Sequence, residues 1–286
     1  MSVDETSDKS PYPPPGQTAP TLPSPASGGG LERGQPEADF GFRRVPEAAK
    51  APLVRAVFDS VAGRYDLMND LMSVGIHRRW KAEMVRRLNP RPGQCLIDVA
   101  GGTGDIARRA LPALMPPGAG SAGGGVVVCD ATPEMLEIGR ARAIDDGILA
   151  GIEWLAGDAE ALPFADRSFD LYTIAFGLRN VTRIERALAE ARRVLKPGGR
   201  FLCLEFTPAV APLLQPLYDF YSFQVLPELG RIVTGNPDAY AYLAESIRHF
   251  PSQSGLLDQI AAAGLEQASY RNLTGGIAAL HSAWRL

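Results

Sequence analysis

A glycine-rich turn between an apolar run and a helix start is the segment of the sequence with the clearest chemical meaning. Residues 97–105 read Ile-Asp-Val-Ala-Gly-Gly-Thr-Gly-Asp. Because glycine has no Cβ, such a turn can adopt positive φ and let a ligand lie against main-chain N–H groups at the start of a helix. Asp130 ends the next apolar run, where a carboxylate can accept hydrogen bonds from ribose hydroxyls. The pattern predicts a nucleotide-like cofactor beside this turn.

The glycines alone do not select that cofactor. Gly102-x-Gly104-x-x-Ala107 also meets the loose dinucleotide fingerprint, so a nicotinamide-dependent oxidoreductase is an alternative. Two further segments argue against it, because nicotinamide enzymes have no use for either. Residues 157–164 (GDAEALPF) follow the third predicted strand, and residues 194–200 (VLKPGGR) end a helix before the fifth.

The elements that position these residues alternate between short apolar runs and helical stretches, which is typical of a parallel sheet. The strands are nearly all apolar, as burial on both faces requires. We predict strands over 94–100, 126–129, 152–155, 169–175 and 200–206, and helices over 106–114, 133–143 and 184–195. A final helix and two strands, over 265–270 and 276–284, follow.

Three segments lie outside this alternation. Residues 1–45 are predicted to be a disordered Pro/Gly/Ser-rich tail, since eight of the 24 prolines fall within the first forty residues. The remaining domain, 46–286, begins with a helical cover over 46–90, in which a second helix runs over 76–88. Residues 208–251, rich in Tyr and Phe, are predicted to be a substrate lid.

Composition excludes several classes of protein. The 286 residues carry a formal net charge of -3 without a basic cluster, which argues against a nucleic-acid partner. No run approaches the roughly 18 apolar residues of a membrane-spanning helix. The 3 cysteines and 3 histidines are scattered, so we predict neither disulfides nor a metal site.

Several blocks together resemble one family of enzymes. They are residues 58–81 (FDSVAGRYDLMNDLMSVGIHRRWK), 173–182 (TIAFGLRNVT), 204–207 (LEFT), 240–251 (YAYLAESIRHFP) and 272–284 (NLTGGIAALHSAW). With the glycine-rich turn they resemble the class I S-adenosylmethionine-dependent methyltransferases and, more narrowly, the UbiE family of ubiquinone and menaquinone C-methyltransferases. The resemblance covers roughly residues 50 to 286. It implies a doubly wound, mostly parallel, seven-stranded α/β sheet of Rossmann-like type.

The resemblance also implies a cofactor, S-adenosyl-L-methionine, and the residues that bind it. Thr103 would touch its methionine part, Asp130 its ribose, and Asp158 with the main chain of Ala159 its adenine. Many family members have serine where this chain has Ala175, so a main-chain contact alone is expected there. The predicted cofactor-binding residues are Asp98, which organises the turn, Gly101, Thr103, Gly104, Asp130, Asp158, Ala159 and Ala175.

The implied reaction is methylation of a ring carbon on a polyprenylated benzoquinol or naphthoquinol. Arg179 is the first catalytic candidate, because a guanidinium beyond the fourth strand could stabilise a phenolate or position a water. The alternative for Arg179 is a structural salt bridge. Asn180 lies beside it, and Tyr65 and His77 are further catalytic candidates on the N-terminal helices, with a structural polar contact as the alternative for His77.

Substrate-binding candidates complete the prediction: Asp66, Asn69, Tyr218 and Tyr221. The last two belong to an aromatic stretch, 217–226, that would either line a tunnel for the prenyl tail or pack in the core. We expect a cytoplasmic protein with peripheral contact to the inner membrane, because the substrate partitions into lipid. A homodimer and a quinone-biosynthesis complex both remain open, as does the choice between ubiquinol and menaquinol precursors.

Two other functions remain alternatives besides the oxidoreductase. One is a non-catalytic assembly subunit of a quinone-biosynthesis complex, which the intact Asp130, Asp158 and Arg179 disfavour. The other is a methyltransferase acting on a phospholipid amine, which the block at 272–284 disfavours by resemblance.

Overall fold

The structure, a computed structural model, describes residues 36–61, 70, 73, 75–116, 124–208, 210, 221, 225, 228, 231 and 237–286. The strands are β1 (Glu37–Phe40), β2 (Arg43–Pro46), β3 (Cys95–Val99), β4 (Gly125–Asp130), β5 (Ile152–Ala156), β6 (Phe169–Ala175), β7 (Leu195–Phe206), β8 (Glu266–Leu273) and β9 (Ala278–Arg285). The helices are α1 (Glu47–Val61), α2 (His77–Leu88), α3 (Asp105–Leu114), α4 (Pro133–Asp145), α5 (Ile184–Val194), α6 (Pro237–His249) and α7 (Gln253–Ala262). The strands and helices that the sequence predicts are present, with ends that differ by a few residues.

Seven strands form one sheet in the order β5-β4-β3-β6-β7-β9-β8. Strands β3 to β7 pair in parallel, and β9 pairs antiparallel with both β7 and β8. The predicted mostly parallel, seven-stranded α/β sheet is therefore confirmed. The chain moves outward from β3 to β5 and then returns to the other side of β3 with β6. At such a reversal, the carboxyl ends of the strands form the ligand crevice of open α/β sheets.

The two faces of the sheet pack against separate hydrophobic clusters. Leu96 belongs to the first cluster, with residues of α2, α3 and α6, whereas its neighbour Ile97 belongs to the second, with residues of α5 and α7. Because successive strand residues point to opposite faces, nearly continuous apolar strands satisfy both clusters at once. This arrangement fixes the strand ends around which the site is built.

The sequence places residues 37–45 in the disordered tail, and this boundary is wrong. Glu37–Phe40 and Arg43–Pro46 pair as an antiparallel hairpin. Its two-residue turn begins at Gly41, whose φ of 59° suits glycine. The hairpin is stabilised from a distance, since the Phe40 ring stacks on Tyr242 and the Phe42 N–H donates to the Glu245 carboxylate at 3.0 Å. The sequence around the hairpin does not predict these contacts, because their partners lie about two hundred residues further along the chain.

The predicted lid, 208–251, lies mostly outside the described residues. Its last part is helix α6, which buries Tyr240, Leu243 and Ile247 in the first cluster. No helix within the described ranges combines the length and the apolar character needed to cross a membrane.

Candidate active site

A cavity of about 800 Å³ lies at the carboxyl edge of the sheet, where Ala100 follows β3 and Phe176 follows β6. Its volume is in the range of small-molecule sites. Ala100 and Phe176 have φ values of 50° and 60°, a region that residues with side chains rarely occupy. Such strained positions persist where the surrounding structure holds them, often at functional sites. The cavity thus opens at the point that the strand order predicts.

The glycine-rich turn has the geometry that the sequence predicts for it. Gly104 has φ of 74°, and a Cβ on it would lie 2.5 Å from the indole of Trp154. A Cβ on Gly101 would lie 2.8 Å from Oδ2 of Asp98. Larger residues would therefore strain the turn or displace its neighbours. Gly102 itself lines the cavity.

Asp130 lines the cavity at the end of β4 and is fixed by backbone donors. Its Oδ2 accepts from the Gly102 N–H at 2.8 Å, and its Oδ1 accepts from the Thr132 N–H at 2.9 Å. Burial raises the pKa of Asp130, and these backbone donors oppose the rise. Since each carboxylate oxygen has a second lone pair, the group can still accept hydrogen bonds from a ligand.

Asp158 and Ala159 line the same cavity beyond the end of β5. The Asp158 Oδ1 accepts from the Glu160 N–H at 2.9 Å, which closes a tight turn. The structure therefore brings the ends of β3, β4 and β5 together, with one carboxylate from each of the last two. Of the predicted cofactor-binding residues, Asp130, Asp158 and Ala159 line this cavity.

Asp98 lies beneath the turn and is fully buried. Its Oδ1 accepts from the Thr173 hydroxyl at 2.8 Å, and its Oδ2 has no hydrogen-bond partner within the described residues. Burial raises the pKa of Asp98 to about 7. It does not line the cavity, so its predicted function as an organiser of the turn agrees with its position.

An ion pair between a buried lysine and a half-buried aspartate attaches the turn to the helical cover. Lys81 of α2 contacts Asp105, the first residue of α3, with 3.0 Å between Nζ and Oδ2. Arg109 contacts the other oxygen of Asp105 at 2.7 Å. Although burial favours the neutral acid, these two cations hold the pKa of Asp105 at about 2. A negative side chain at a helix N-terminus also interacts favourably with the helix dipole.

Helix α1, part of the predicted helical cover, forms a wall of the cavity, but the residues that line it are not among the predicted site residues. Ala51, Val54, Arg55 and Phe58 line it, at the spacing of one helix face. The periodicity of α1 predicts a buried face in the helical cover over 46–90, but it does not show which residues line a cavity.

Two contacts hold α1 against the segment that follows β6. The Lys50 Nζ donates to the Val181 carbonyl at 3.0 Å, and the Arg183 Nε contacts the Glu47 carboxylate at 2.6 Å. Burial lowers the pKa of Lys50. The cover and the catalytic edge of the sheet are therefore joined at the mouth of the cavity.

Arg179 is placed differently from the catalytic position expected for it. Its Nη1 donates to Oε1 of Glu205 at 2.7 Å and to the Phe176 carbonyl at 2.6 Å, and its side chain is 2% exposed. Arg179 is absent from the cavity lining that the described residues form. Burial raises the pKa of Glu205, and the guanidinium opposes that rise. The geometry matches the alternative for Arg179, a structural salt bridge, which holds the strained backbone at Phe176.

Asn180 lines the cavity, as a catalytic candidate should. It ends a 3-10 turn, Leu178–Asn180, that follows β6 directly. Its Oδ1 accepts from the hydroxyl of Tyr242 at 3.1 Å. Tyr242 is a site residue that the prediction did not include, because it lies on α6, far along the chain.

The remaining predicted residues do not line the cavity within the described part of the chain. His77 is buried, with Nε2 at 2.9 Å from Oδ1 of Asp70, and burial lowers its pKa. Thr103 is buried behind the turn, and Ala175 and Tyr221 pack against the first hydrophobic cluster. Tyr65, Asp66, Asn69 and Tyr218 lie outside the described residues.

Two solved SAM-dependent methyltransferases share this fold. A SAM-dependent methyltransferase from Thermotoga maritima matches 82% of this chain and 100% of its own, with a TM-score of 0.54 at 22% identity. One from Aquifex aeolicus matches 72% of this chain and 89% of its own, with a TM-score of 0.52 at 16% identity. At these identities the likeness shows the fold alone.

Sequence relatives are much more similar. A protein from Paracoccus denitrificans named ubiquinone/menaquinone biosynthesis C-methyltransferase UbiE is 57% identical over 87% of this chain and 97% of its own length. The mitochondrial 2-methoxy-6-polyprenyl-1,4-benzoquinol methylase of Mus musculus is 48% identical over 89% of this chain and 86% of its own. The sequence model of the ubiE/COQ5 methyltransferase family matches residues 45–285. The chain therefore belongs to the ubiE/COQ5 methyltransferase family.

Proposed function

We propose that this chain uses S-adenosyl-L-methionine to methylate a ring carbon of a polyprenylated benzoquinol or naphthoquinol in ubiquinone or menaquinone biosynthesis. One observation carries the proposal. A single cavity is lined by Gly102, Asp130 and Asp158, at the strand ends predicted to hold the cofactor, and by Asn180 and the apolar face of α1. The family and the names of the relatives support the same reaction.

The residues around the cavity fit this cofactor. Gly102 lines the cavity and carries no side chain, so the main chain of the turn is open to a ligand at that residue. We propose that Asp130 accepts hydrogen bonds from the ribose hydroxyls, and that Asp158 and the main chain of Ala159 meet the adenine. When bound, S-adenosyl-L-methionine supplies an electrophilic methyl group on a positively charged sulfur.

Methylation replaces the hydrogen of a ring carbon by the methyl group, and that hydrogen leaves as a proton that passes to water. The site therefore has to make the carbon nucleophilic. A neighbouring ring hydroxyl increases the electron density on the carbon when it is ionised or strongly polarised. We propose Asn180 as the polar group at that oxygen, since it is the predicted catalytic residue that lines the cavity. Val54, Phe58 and Phe176 would hold the ring in place and exclude water.

We propose that Arg179 contributes by positioning the backbone rather than by contacting the substrate. Its guanidinium is held by Glu205 and by the Phe176 carbonyl. This contact supports the turn that carries Asn180. We propose no contact of His77 with the substrate, because its ring is held by Asp70 outside the cavity lining.

The experiment that tests the function is methyl transfer by the purified full chain. S-adenosyl-L-methionine carrying a tritiated methyl group is incubated with the reduced, demethylated benzoquinol or naphthoquinol bearing a short isoprenoid tail. We expect one labelled methyl group on the ring carbon. Absence of label from both quinols would overturn the proposal. Mass spectrometry of quinones from a deletion strain then identifies the natural substrate by the demethylated precursor that accumulates.

Parallel reactions test the alternatives. Label on phosphatidylethanolamine would identify a phospholipid amine methyltransferase, and hydride transfer from reduced nicotinamide would identify an oxidoreductase. Binding of the cofactor without transfer to any acceptor would indicate an assembly subunit.

We also propose that the enzyme meets its lipid substrate at a membrane surface, because a polyprenylated quinol partitions into the bilayer. Flotation of the purified chain with liposomes that contain the quinol tests this contact. Complete recovery in the unbound fraction would contradict it.

A further inference from the structure

The orientation of the Asn180 side chain decides what the site can offer a substrate. An amide presents a carbonyl oxygen on one side and two N–H donors on the other. The backbone N–H of Asn180 donates to the Gly177 carbonyl at 3.0 Å, which fixes the backbone of the residue. Because Asn180 lines the cavity, the question is which side of its amide is directed inward.

Tyr242 answers this question. Its hydroxyl donates to Oδ1 of Asn180 at 3.1 Å, and the side chain is buried. Burial holds the pKa of Tyr242 well above its ordinary value, so the hydroxyl keeps its proton. A buried hydroxyl hydrogen requires an acceptor, and the amide oxygen provides it.

The Tyr242 ring is itself held in place. It stacks on Phe40 of β1, with 4.4 Å between ring centroids and an interplanar angle of 22°. Both residues are buried in the first hydrophobic cluster. The contact therefore joins the N-terminal hairpin, helix α6 and the turn after β6, and it limits rotation of the hydroxyl away from Asn180.

We infer that Tyr242 is a positioning residue that holds the amide oxygen of Asn180 away from the cavity, so that the amide N–H groups face the substrate. Their partner is an acceptor: the ring oxygen beside the carbon that is methylated. A donor at this oxygen favours the ionised quinol, which makes the neighbouring carbon nucleophilic. The inference rests on the proposed function and adds a residue to it.

The neighbouring guanidinium lies outside the cavity lining, among the residues that the structure describes. The Arg179 Nη1 is occupied by Glu205 and by the Phe176 carbonyl, and Arg179 does not line the cavity within the described residues. The hydrogen bond at the reacting ring is therefore assigned to Asn180, and its direction to Tyr242.

A double-mutant cycle tests this assignment on the full chain with labelled S-adenosyl-L-methionine and a demethylated quinol. We expect Tyr242→Phe to lower kcat by about tenfold, with the KM for S-adenosyl-L-methionine unchanged. Asn180→Ala should lower kcat at least as much. In the Asn180→Ala background, Tyr242→Phe should cause no further loss, because Tyr242 acts through Asn180. Tyr172→Phe, which alters a buried tyrosine in the second cluster, is the matched control and should keep wild-type kcat.

Two more measurements separate positioning from a general structural effect. In Tyr242→Phe the rising limb of kcat against pH should move to higher pH, because ionisation of the bound quinol has lost its donor. Asn180→Asp keeps an acceptor for Tyr242 but presents a negatively charged oxygen to the substrate. It should therefore keep the thermal midpoint and lose kcat at least as strongly as Asn180→Ala.

The results that would overturn the inference are distinct from those that would overturn the function. Wild-type kcat in Tyr242→Phe or in Asn180→Asp contradicts the inference, and so do losses that multiply in the double variant. If Tyr242→Phe fails to fold, Asn180→Asp alone decides. If the wild-type chain methylates no quinol, the proposed function fails, and the inference fails with it.

Discussion

Three carboxyl groups near the glycine-rich turn differ in pKa because their surroundings differ. Burial raises the pKa of Asp98 to about 7, whereas the cations Lys81 and Arg109 hold the pKa of the half-buried Asp105 at about 2. Asp130 is half-buried, and backbone N–H groups from Gly102 and Thr132 offset part of the rise in its pKa that desolvation causes. These states suit Asp98 to packing under the turn, Asp105 to attachment of the cover, and Asp130 to recognition of a ligand hydroxyl.

The state of Asp98 predicts a pH dependence of stability. Its ordinary pKa is 3.8 and its pKa in the folded chain is about 7. Between these values the folded state binds the extra proton, so the free energy of unfolding falls as pH rises from about 4 to about 7 and levels off above. Asp98→Asn cannot ionise and should lack this fall.

Urea denaturation of both proteins from pH 4 to pH 8 measures the difference. The wild type should lose up to about 4 kcal/mol relative to Asp98→Asn across this range. Thr173→Val, which removes the donor to the ionised carboxylate, should extend the fall to higher pH. A difference between wild type and Asp98→Asn that stays constant with pH would contradict the account.

The ion pair between Arg179 and Glu205 makes a second prediction. Their side chains are 2% and 1% exposed, so Glu205→Gln leaves a buried guanidinium without its counter-charge. Breaking a buried pair in this way costs about 3–5 kcal/mol. Asp166→Asn is the control, because Asp166 also contacts an arginine but is 69% exposed, and its loss should cost no more than about 1 kcal/mol. Equal effects of the two variants on urea denaturation would show that the pair does not hold the turn.

The position of Arg179 shows that the partner of a buried side chain could not be predicted from the sequence. Its position after β6 was enough to place it near the catalytic edge. Its partner is Glu205, on the neighbouring strand, and the two meet because Ala175 of β6 pairs with Leu204 of β7. Strand order and register decide which group the guanidinium contacts, and neither can be read from the residues around position 179.

At the scale of elements, a glycine of the glycine-rich turn can be compared with a glycine that follows helix α4 and has nearly the same φ. Gly104 and Gly147 have φ values of 74° and 77°, but a Cβ would meet Trp154 at 2.5 Å on the first and nothing within 4 Å on the second. Gly147→Ala should therefore cost only the left-handed conformation, about 1–2 kcal/mol, and leave cofactor affinity unchanged.

Gly104→Ala should cost more and also weaken binding of S-adenosylhomocysteine by at least about tenfold, because Trp154 or the turn must move. Urea denaturation and calorimetric titration of both variants measure the two effects. The explanation fails if the two alanines have the same effect on both.

The strands and helices could be predicted from the sequence where burial requires a continuous run of apolar residues. Central strands such as β3 and β6 are apolar runs because both of their faces are covered, and the glycines mark the turn between β3 and α3. The hairpin of β1 and β2 was missed because each strand has four residues in a segment of tail-like composition. Its stability comes from Tyr242 and Glu245, about two hundred positions further along the chain.

At the scale of the whole molecule, the sheet gathers residues from distant parts of the chain into one site. The proposed cofactor side comes from the ends of β3, β4 and β5, and the proposed substrate side from α1 and the turn after β6. The sequence located the first side because a glycine turn and acids at strand ends have a recognisable chemistry. The proposed substrate side depends on how α1 and α6 pack against the sheet. Tyr242 and the α1 residues that line the cavity can therefore be identified only from the structure.

The central claim is that this cavity binds S-adenosyl-L-methionine with Asp130 at its ribose. Isothermal titration of the full chain with S-adenosylhomocysteine, the demethylated product, tests it most directly. We predict saturable binding at one site per chain, and a loss of at least about tenfold in affinity in Asp130→Ala, which removes hydrogen bonds to a charged acceptor. No heat of binding to the wild-type chain, or equal affinity for Asp130→Ala, would contradict the claim.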